Sequence, residues 1–455
     1  MRWPARTQTP DRARLRTERR ERRIERTRQL TRVSAQVARA PVGAVTRPAR
    51  ALRDVLAYWR AERVTLRQGM AALSVSAVGN LPTGLALGFM SDRLGELPGL
   101  FILIPASVGM RGVISGATGA RLGTSIAAGL FDVSWRRGGV LRHNAIVGLV
   151  LTLLSSVYVA LLARLSALVF GEPSIPLPDL ITISVVGGTL GSVLVLIAAI
   201  ALAVVSFRRG YDLDAVGTPV ITAVGDMVTL PALFLATFLV RSEFVSDVVA
   251  LLCLLAAVVG VVAGLRTDPA IRRTVVEMLA VLVIVPVLDV LAGTLLESQR
   301  AHFFEFPGLL ILIPPLISQA GALGGILSSR LSSKLRLGVI TPRGLPEPPA
   351  VVDGSLVVAF GLAIFTFIGA VGYGLAELTG RAIPGAVVTI WGTALAGLFL
   401  LPVILVLGYY LAVGTTRFGL DPDDHSVPLN TGVMDLVGVV AFVAAMSLSG
   451  VAFHG

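Results

Sequence analysis

From about residue 69 onward the chain is a succession of long apolar windows separated by short charged or turn-rich stretches. The windows fall near 69–90, 97–114, 143–169, 179–206, 219–240, 245–265, 275–297, 307–328, 351–377, 384–413 and 427–453. An α-helix of about 20 residues crosses a ~30 Å hydrocarbon layer, and these windows match that length. They are too long and too continuously apolar for the alternating strands of a membrane barrel. The pattern predicts an all-α membrane protein with eleven transmembrane helices. Pro105 and Pro314 fall inside the second and eighth windows, where kinked or broken helices are expected.

The windows are not independent of one another. ELPGLFILIPASVGMRGVISGATGARL, from Glu96, aligns without a gap to EFPGLLILIPPLISQAGALGGILSSRL, from Glu305, an offset of 209 residues. The same offset pairs YDLDAVGTPVITAVGDMV with LDPDDHSVPLNTGVMDLV, so that Asp212, Asp214, Pro219, Thr222 and Asp226 match Asp421, Asp423, Pro428, Thr431 and Asp435. One constant register across two separated blocks means an internal duplication. Five windows per half is an odd number, so direct joining would invert the second half. The extra window at 245–265 restores the orientation. Arginine and lysine support this arrangement: Arg121, Arg136, Arg137, Arg142, Arg208, Arg209, Arg266, Arg272, Arg273, Arg330, Lys334, Arg336 and Arg343 cluster in alternate connections, which reads as cytoplasmic. Arg121 and Arg330 are expected to extend to that interface along their own helices. The predicted architecture is two parallel five-helix repeats, 68–241 and 275–455, joined by a linker helix within 242–274. A pseudo-two-fold axis runs along the membrane normal, and the amino terminus lies in the cytoplasm and the carboxyl terminus outside.

Composition agrees, with 54% hydrophobic and only 15% charged residues, but the net charge of +11 needs dividing. Residues 1–67 carry 19 arginines against six acids, a balance of +13 that leaves −2 for the remainder. This segment lacks the apolar core of a secretory signal. It is expected to be disordered or to lie on anionic lipid, with no nucleic-acid role. Cys253 is the only cysteine, which excludes an intrachain disulfide and a thiolate cluster; the four histidines are scattered, so a histidine metal site is not expected.

Asp226 and Asp435 are the carboxylates that need explaining, because an acid inside a span costs at least ~2.5–3.5 kcal/mol on insertion scales. Each follows its proline by seven residues. With the proline in the first helical turn, that spacing puts the carboxylate roughly 10 Å into the bilayer from the cytoplasmic side. Thr222 and Thr431 precede them by one turn on the same face. Symmetry then brings two carboxylates and two hydroxyls around one axis, an oxygen-rich site of the kind Mg²⁺ or Ca²⁺ takes. Asp212, Asp214, Asp421, Asp423 and Asp424, just before the same helices, suit either capping or a cation-concentrating cytoplasmic mouth. Asn80 and Asp289, matched at 209, suit helix-to-helix hydrogen bonds or an ion path.

At these residues the sequence resembles the MgtE-type magnesium transporters, and more closely the solute-carrier branch in which two such membrane domains are fused. The carrying motifs are PGLFILIPASVGMRG, PGLLILIPPLISQAGALGG, TPVITAVGDMVTL and DPDDHSVPLNTGVMDLVG. The resemblance implies transport of Mg²⁺, or of divalent cations more broadly, with the ion as cargo and no cofactor. It also implies that Asp226 and Asp435 match the pore aspartate of the family's fifth helix. Where the family often has an asparagine, this chain has Val113 and Ala322. The soluble domains that sense Mg²⁺ in bacterial members are not expected. A plasma-membrane monomer acting as a pseudo-dimer follows, with a proton- or sodium-coupled solute transporter as the alternative. GYDLD and AVGD are similar to the motif pair of intramembrane aspartyl proteases, but Ala223 stands at the first glycine position and Asp212 in the preceding loop, so no enzyme is expected.

Overall fold

The structure, a computed structural model, describes residues 59–60, 63–127, 131, 135–136, 138–209, 213–240, 243–419 and 422–451. Nearly all of the Arg-rich segment, Asp212, Asp421 and the carboxyl terminus lie outside the described residues. The helices are α1 (Arg63–Phe89), α2 (Ser91–Glu96), α3 (Leu100–Ala127), α4 (Val140–Phe170), α5 (Leu177–Arg209), α6 (Leu213–Thr237), α7 (Glu243–Thr267), α8 (Pro269–Ser298), α9 (Arg300–Glu305), α10 (Ile313–Arg336), α11 (Pro348–Leu378), α12 (Ala386–Phe418) and α13 (Pro422–Leu448). Among the described residues there is no β-strand, as expected where lipid cannot satisfy an open backbone. Ten of these segments are long and apolar enough to cross a membrane, and the apolar stretch Val224–Thr237 of α6 is shorter.

Two local expectations change. Helices α6 and α13 begin six residues before Pro219 and Pro428, which therefore lie inside the helices and not in their first turns. Asp226 and Asp435 each stand 13 residues from the helix start, about 20 Å along the helix axis at ~1.5 Å per residue. Asp214, Asp423 and Asp424 accordingly sit in the first helical turn, where the dipole favours acids, and not in front of it. The eighth window does break: Pro307–Ile311 is a 3₁₀ turn, and α10 starts afresh at Ile313 with Pro314 in its first turn.

The first helix of each half packs against the opposite half. Helix α1 lies on α10 and α11, and α8 lies on α3 and α4, while each also touches the fifth helix of its own half, α1 on α6 and α8 on α13. These contacts correspond at the 209-residue offset. Glycine makes the closest of them: Gly84 of α1 sits directly on the Ile311 carbonyl, and Gly293 of α8 on the carbonyls of Phe101 and Ile102. Gly84 and Gly293 are themselves 209 apart, as are Ile102 and Ile311. Helix α7 lies against α4 and α5 and, less extensively, α8, with Leu251, Leu252, Leu255, Val258 and Val259 turned outward.

Arg121 and Arg330 each have a partner on the following helix. Arg121 Nε donates to Asn144 Oδ1 at 2.8 Å, and Arg330 Nε donates to Asp353 Oδ1 at 3.1 Å, again at corresponding positions. Asp353 is fully buried and also pairs with Lys334 Nζ at 2.6 Å. Removing one partner of a buried ion pair leaves the other charges uncompensated and costs about 3–5 kcal/mol, whereas one hydrogen bond to a charged group is worth about 1.5–3 kcal/mol. Asp353→Ala should therefore lower stability to denaturant in detergent more than Asn144→Ala. Equal losses would mean that Lys334 gains nothing from the pair.

Candidate cation site

Asn80 and Asp289 occupy corresponding positions on α1 and α8, and their surroundings differ at one atom set. Asn80 Nδ2 donates to Ser318 Oγ of α10 at 2.9 Å. The residue corresponding to Ser318 is Gly109 of α3, which has no side chain to offer. Asp289 faces that glycine: a methyl group added at Gly109 would run into Asp289 Oδ2 and stand 3.3 Å from Asp435 Oδ2. Asp289 is completely buried, and neither of its oxygens has a hydrogen-bond donor. Asp435 Oδ2 faces the same glycine from α13, and Asp226 is near enough to Asp435 for their charges to interact.

Three acids from α6, α8 and α13 are thus gathered beside α3, with Asp289 buried and Asp226 and Asp435 half-buried. Ionised carboxylates only accept hydrogen bonds. Two of them in contact need a cation or a proton between them, since like charges at that distance oppose each other. Among the described residues no three His, Cys, Asp or Glu side chains converge closely enough to hold a bare metal ion. The sequence reading pairs Asp226 with Asp435 across an axis; the structure adds Asp289, which faces Gly109 together with Asp435.

Of the other predicted residues, Thr431 Oγ1 lies beside Gly321 of α10, and Asn80 makes the helix-to-helix bond considered for it. The side chains of Thr222, Asp214, Asp423 and Asp424 lie outside the described residues. Sequence reasoning missed Gly109. The signal was available in two unequal matches, Asn80 with Asp289 and Ser318 with Gly109, whose chemistry makes sense only when taken together. It also missed Asn430, buried one residue before Thr431, whose Nδ2 donates to the Gly321 carbonyl at 2.8 Å and so ties α13 to α10.

Comparison with known proteins bears on the same segments. The family model MgtE, described as a divalent cation transporter, matches residues 104–236 and again 313–445. The two matches are themselves displaced by 209 residues. The chain is 24% identical over 387 residues to solute carrier family 41 member 3 of Rattus norvegicus, covering 80% of this chain and 83% of that protein. To solute carrier family 41 member 2 of Mus musculus it is 24% identical over 396 residues, covering 80% and 67%. The human member 2 gives 24% over 398 residues with the same coverage. No solved structure matches the chain.

Proposed function

Because the chain belongs to the MgtE family of divalent cation transporters, we propose that its cargo is Mg²⁺ and that the ion passes between the two halves at Asp226, Asp289 and Asp435. The observation that carries this reading is the meeting of Asp289 and Asp435 beside Gly109 with no donor on Asp289. Mg²⁺ sheds water reluctantly and is commonly held through one or two carboxylates with several waters retained. A site of two close acids and a third at longer range fits that habit better than it fits an ion needing a full protein cage. Thr222 and Thr431 line the approach, and Asp212, Asp214, Asp421, Asp423 and Asp424 form an acidic mouth on the cytoplasmic side. Asn80 holds α1 to α10 and leaves the path to Asp289.

In this reading residues 68–241 and 275–455 are two parallel five-helix repeats about an axis along the membrane normal. They are joined by the helix within 242–274, giving eleven spans in a plasma-membrane monomer that acts as a pseudo-dimer. The paired contacts of α1 and α8 support it, since each has its counterpart at the repeat offset. The amino-terminal arginines would meet anionic lipid on the cytoplasmic face. On a Cys253→Ser background, a cysteine at position 455 should react with an impermeant reagent applied outside and not from the cytoplasm; the opposite result would remove the parallel arrangement and the linker role of α7.

The test of function is uptake. Purified protein in liposomes should pass Mg²⁺, and expression should rescue a cell deficient in magnesium transport. Uptake of Mn²⁺ or Co²⁺ without Mg²⁺ would reassign the cargo, and solute-driven proton or sodium flux without divalent movement would favour the coupled solute transporter.

A further inference from the structure

Arg111, two residues beyond Gly109 on α3, is 4% exposed. Among the described residues no carboxylate pairs with it; NH1 donates instead to the backbone carbonyls of Gly188 and Gly187 on α5, the latter at 3.5 Å. The glycines of α5 make room for it. A methyl group at Gly191 would stand 2.6 Å from Arg111 NH1, and one at Gly188 would stand 3.1 Å from NH2. The other half has no such arrangement, because the positions corresponding to Arg111 and Gly191 are Ala320 and Leu400. The basic group is therefore specific to one repeat, and the fold accommodates it where the other repeat packs hydrocarbon.

The guanidinium lines a narrow cavity of about 20 Å³ between α3, α4, α5 and α6, together with Ser115, Thr118 and Ser192 and apolar walls that include Leu149 and Val195. That volume holds one or two solvent-sized species. Ser192 Oγ and Thr152 Oγ1 share one hydrogen at 2.6 Å, which leaves the second hydroxyl hydrogen of the pair to donate elsewhere. A guanidinium carries five N–H donors, more than two carbonyls can use. A buried positive charge without a paired carboxylate is costly. Ser115 and Thr118 give their hydrogens to carbonyls of their own helix, so the guanidinium and the Ser192–Thr152 pair supply the donors, and the cavity offers them with one positive charge to something small and negative.

We propose that this cavity binds one small monovalent inorganic anion, of the chloride class, as the counter-ion of Arg111. A doubly charged oxyanion would exceed the single positive charge available, and an organic carboxylate would exceed the space. A lipid phosphate offers related chemistry, and the experiment separates the two sources. Binding at Arg111 stands independently of the cargo proposed above.

The test uses the purified full chain in Mg²⁺-free buffer, in detergent and in bilayer discs of zwitterionic or anionic lipid, with chloride compared against gluconate at equal ionic strength. Chloride is expected to raise the melting midpoint saturably and radiolabelled chloride to bind. Arg111→Gln should weaken both at least about tenfold, and Ser192→Ala should weaken them less. A parent protein that melts and binds alike in the two salts overturns the site, whatever the variants do. So does Arg111→Gln that folds and keeps the chloride effect, or stabilisation that follows the anionic headgroup regardless of chloride. Because these readings contain no divalent ion, a wrong cargo assignment leaves them unchanged.

Discussion

Replacing both Asp226 and Asp435 by asparagine is expected to bring divalent uptake down by at least about a hundredfold at equal surface abundance. A partly hydrated cation held by a carboxylate gains about 1.5–3 kcal/mol over a neutral partner. Two such losses amount to about 3 kcal/mol or more, and a factor of a hundred corresponds to ~2.8 kcal/mol. Each single variant should retain part of the activity, because Asp289 remains beside whichever aspartate is left. Asp435→Asn should be the more damaging of the two, since Asp435 is the one that shares the space at Gly109 with Asp289. Gly109→Ala tests the same geometry without changing charge: its methyl group would enter the space between the two carboxyl groups and force them apart. Initial rates of Mg²⁺ uptake into liposomes, normalised to protein, measure all four variants. A double variant that transports like the parent would make these aspartates structural and move the path away from α6 and α13.

The duplication, the helical class and the presence of two acids inside apolar runs are legible because each rests on a local signal. A 209-residue register is visible in any two aligned blocks, and a carboxylate inside an apolar run is conspicuous by its cost. What was not legible depended on which helices touch. For Asp289, the unequal partner of Asn80, the sequence leaves a helix-to-helix hydrogen bond and an ion path both open; only the crossing of α8 over α3 sets it against Gly109 and Asp435. Helix starts were misjudged for a different reason. Proline suits the first turn, so Pro219 and Pro428 suggested starts that the structure places six residues earlier. Inside a bundle, neighbouring helices can satisfy the carbonyl that an interior proline frees, and the local rule loses its force. Arg121 and Arg330 were read as interface anchors because the sequence does not reveal Asn144 and Asp353 as their partners from the adjacent helix.

The exchange of first helices between the halves makes a second strong expectation, concerning folding. In Gly84→Ala the new Cβ would lie 2.9 Å from the Ile311 carbonyl carbon and 3.0 Å from its Cα, and closer still to its oxygen. In Gly293→Ala it would lie 2.6 Å from the carbonyl oxygens of both Phe101 and Ile102. These neighbours are backbone, so no rotamer change can relieve the contact; the helix must withdraw and take its other contacts with it. Overpacking of this kind costs about 1–3 kcal/mol even where side chains can adjust, and each variant should reach or exceed the upper end. Because α1 and α8 each bridge both halves, the double variant should fail to give a monodisperse protein. Gly79→Ala and Gly374→Ala are the controls, since nothing lies within 4 Å of either new Cβ and alanine in a helix is favoured over glycine by about 1 kcal/mol. Thermal melting of the detergent-solubilised chain, followed by size-exclusion chromatography, reads the difference. If Gly84→Ala and Gly293→Ala melt together with the controls, the close approach of α1 to the 3₁₀ turn at Pro307–Ile311, and of α8 to the start of α3, does not hold the halves together.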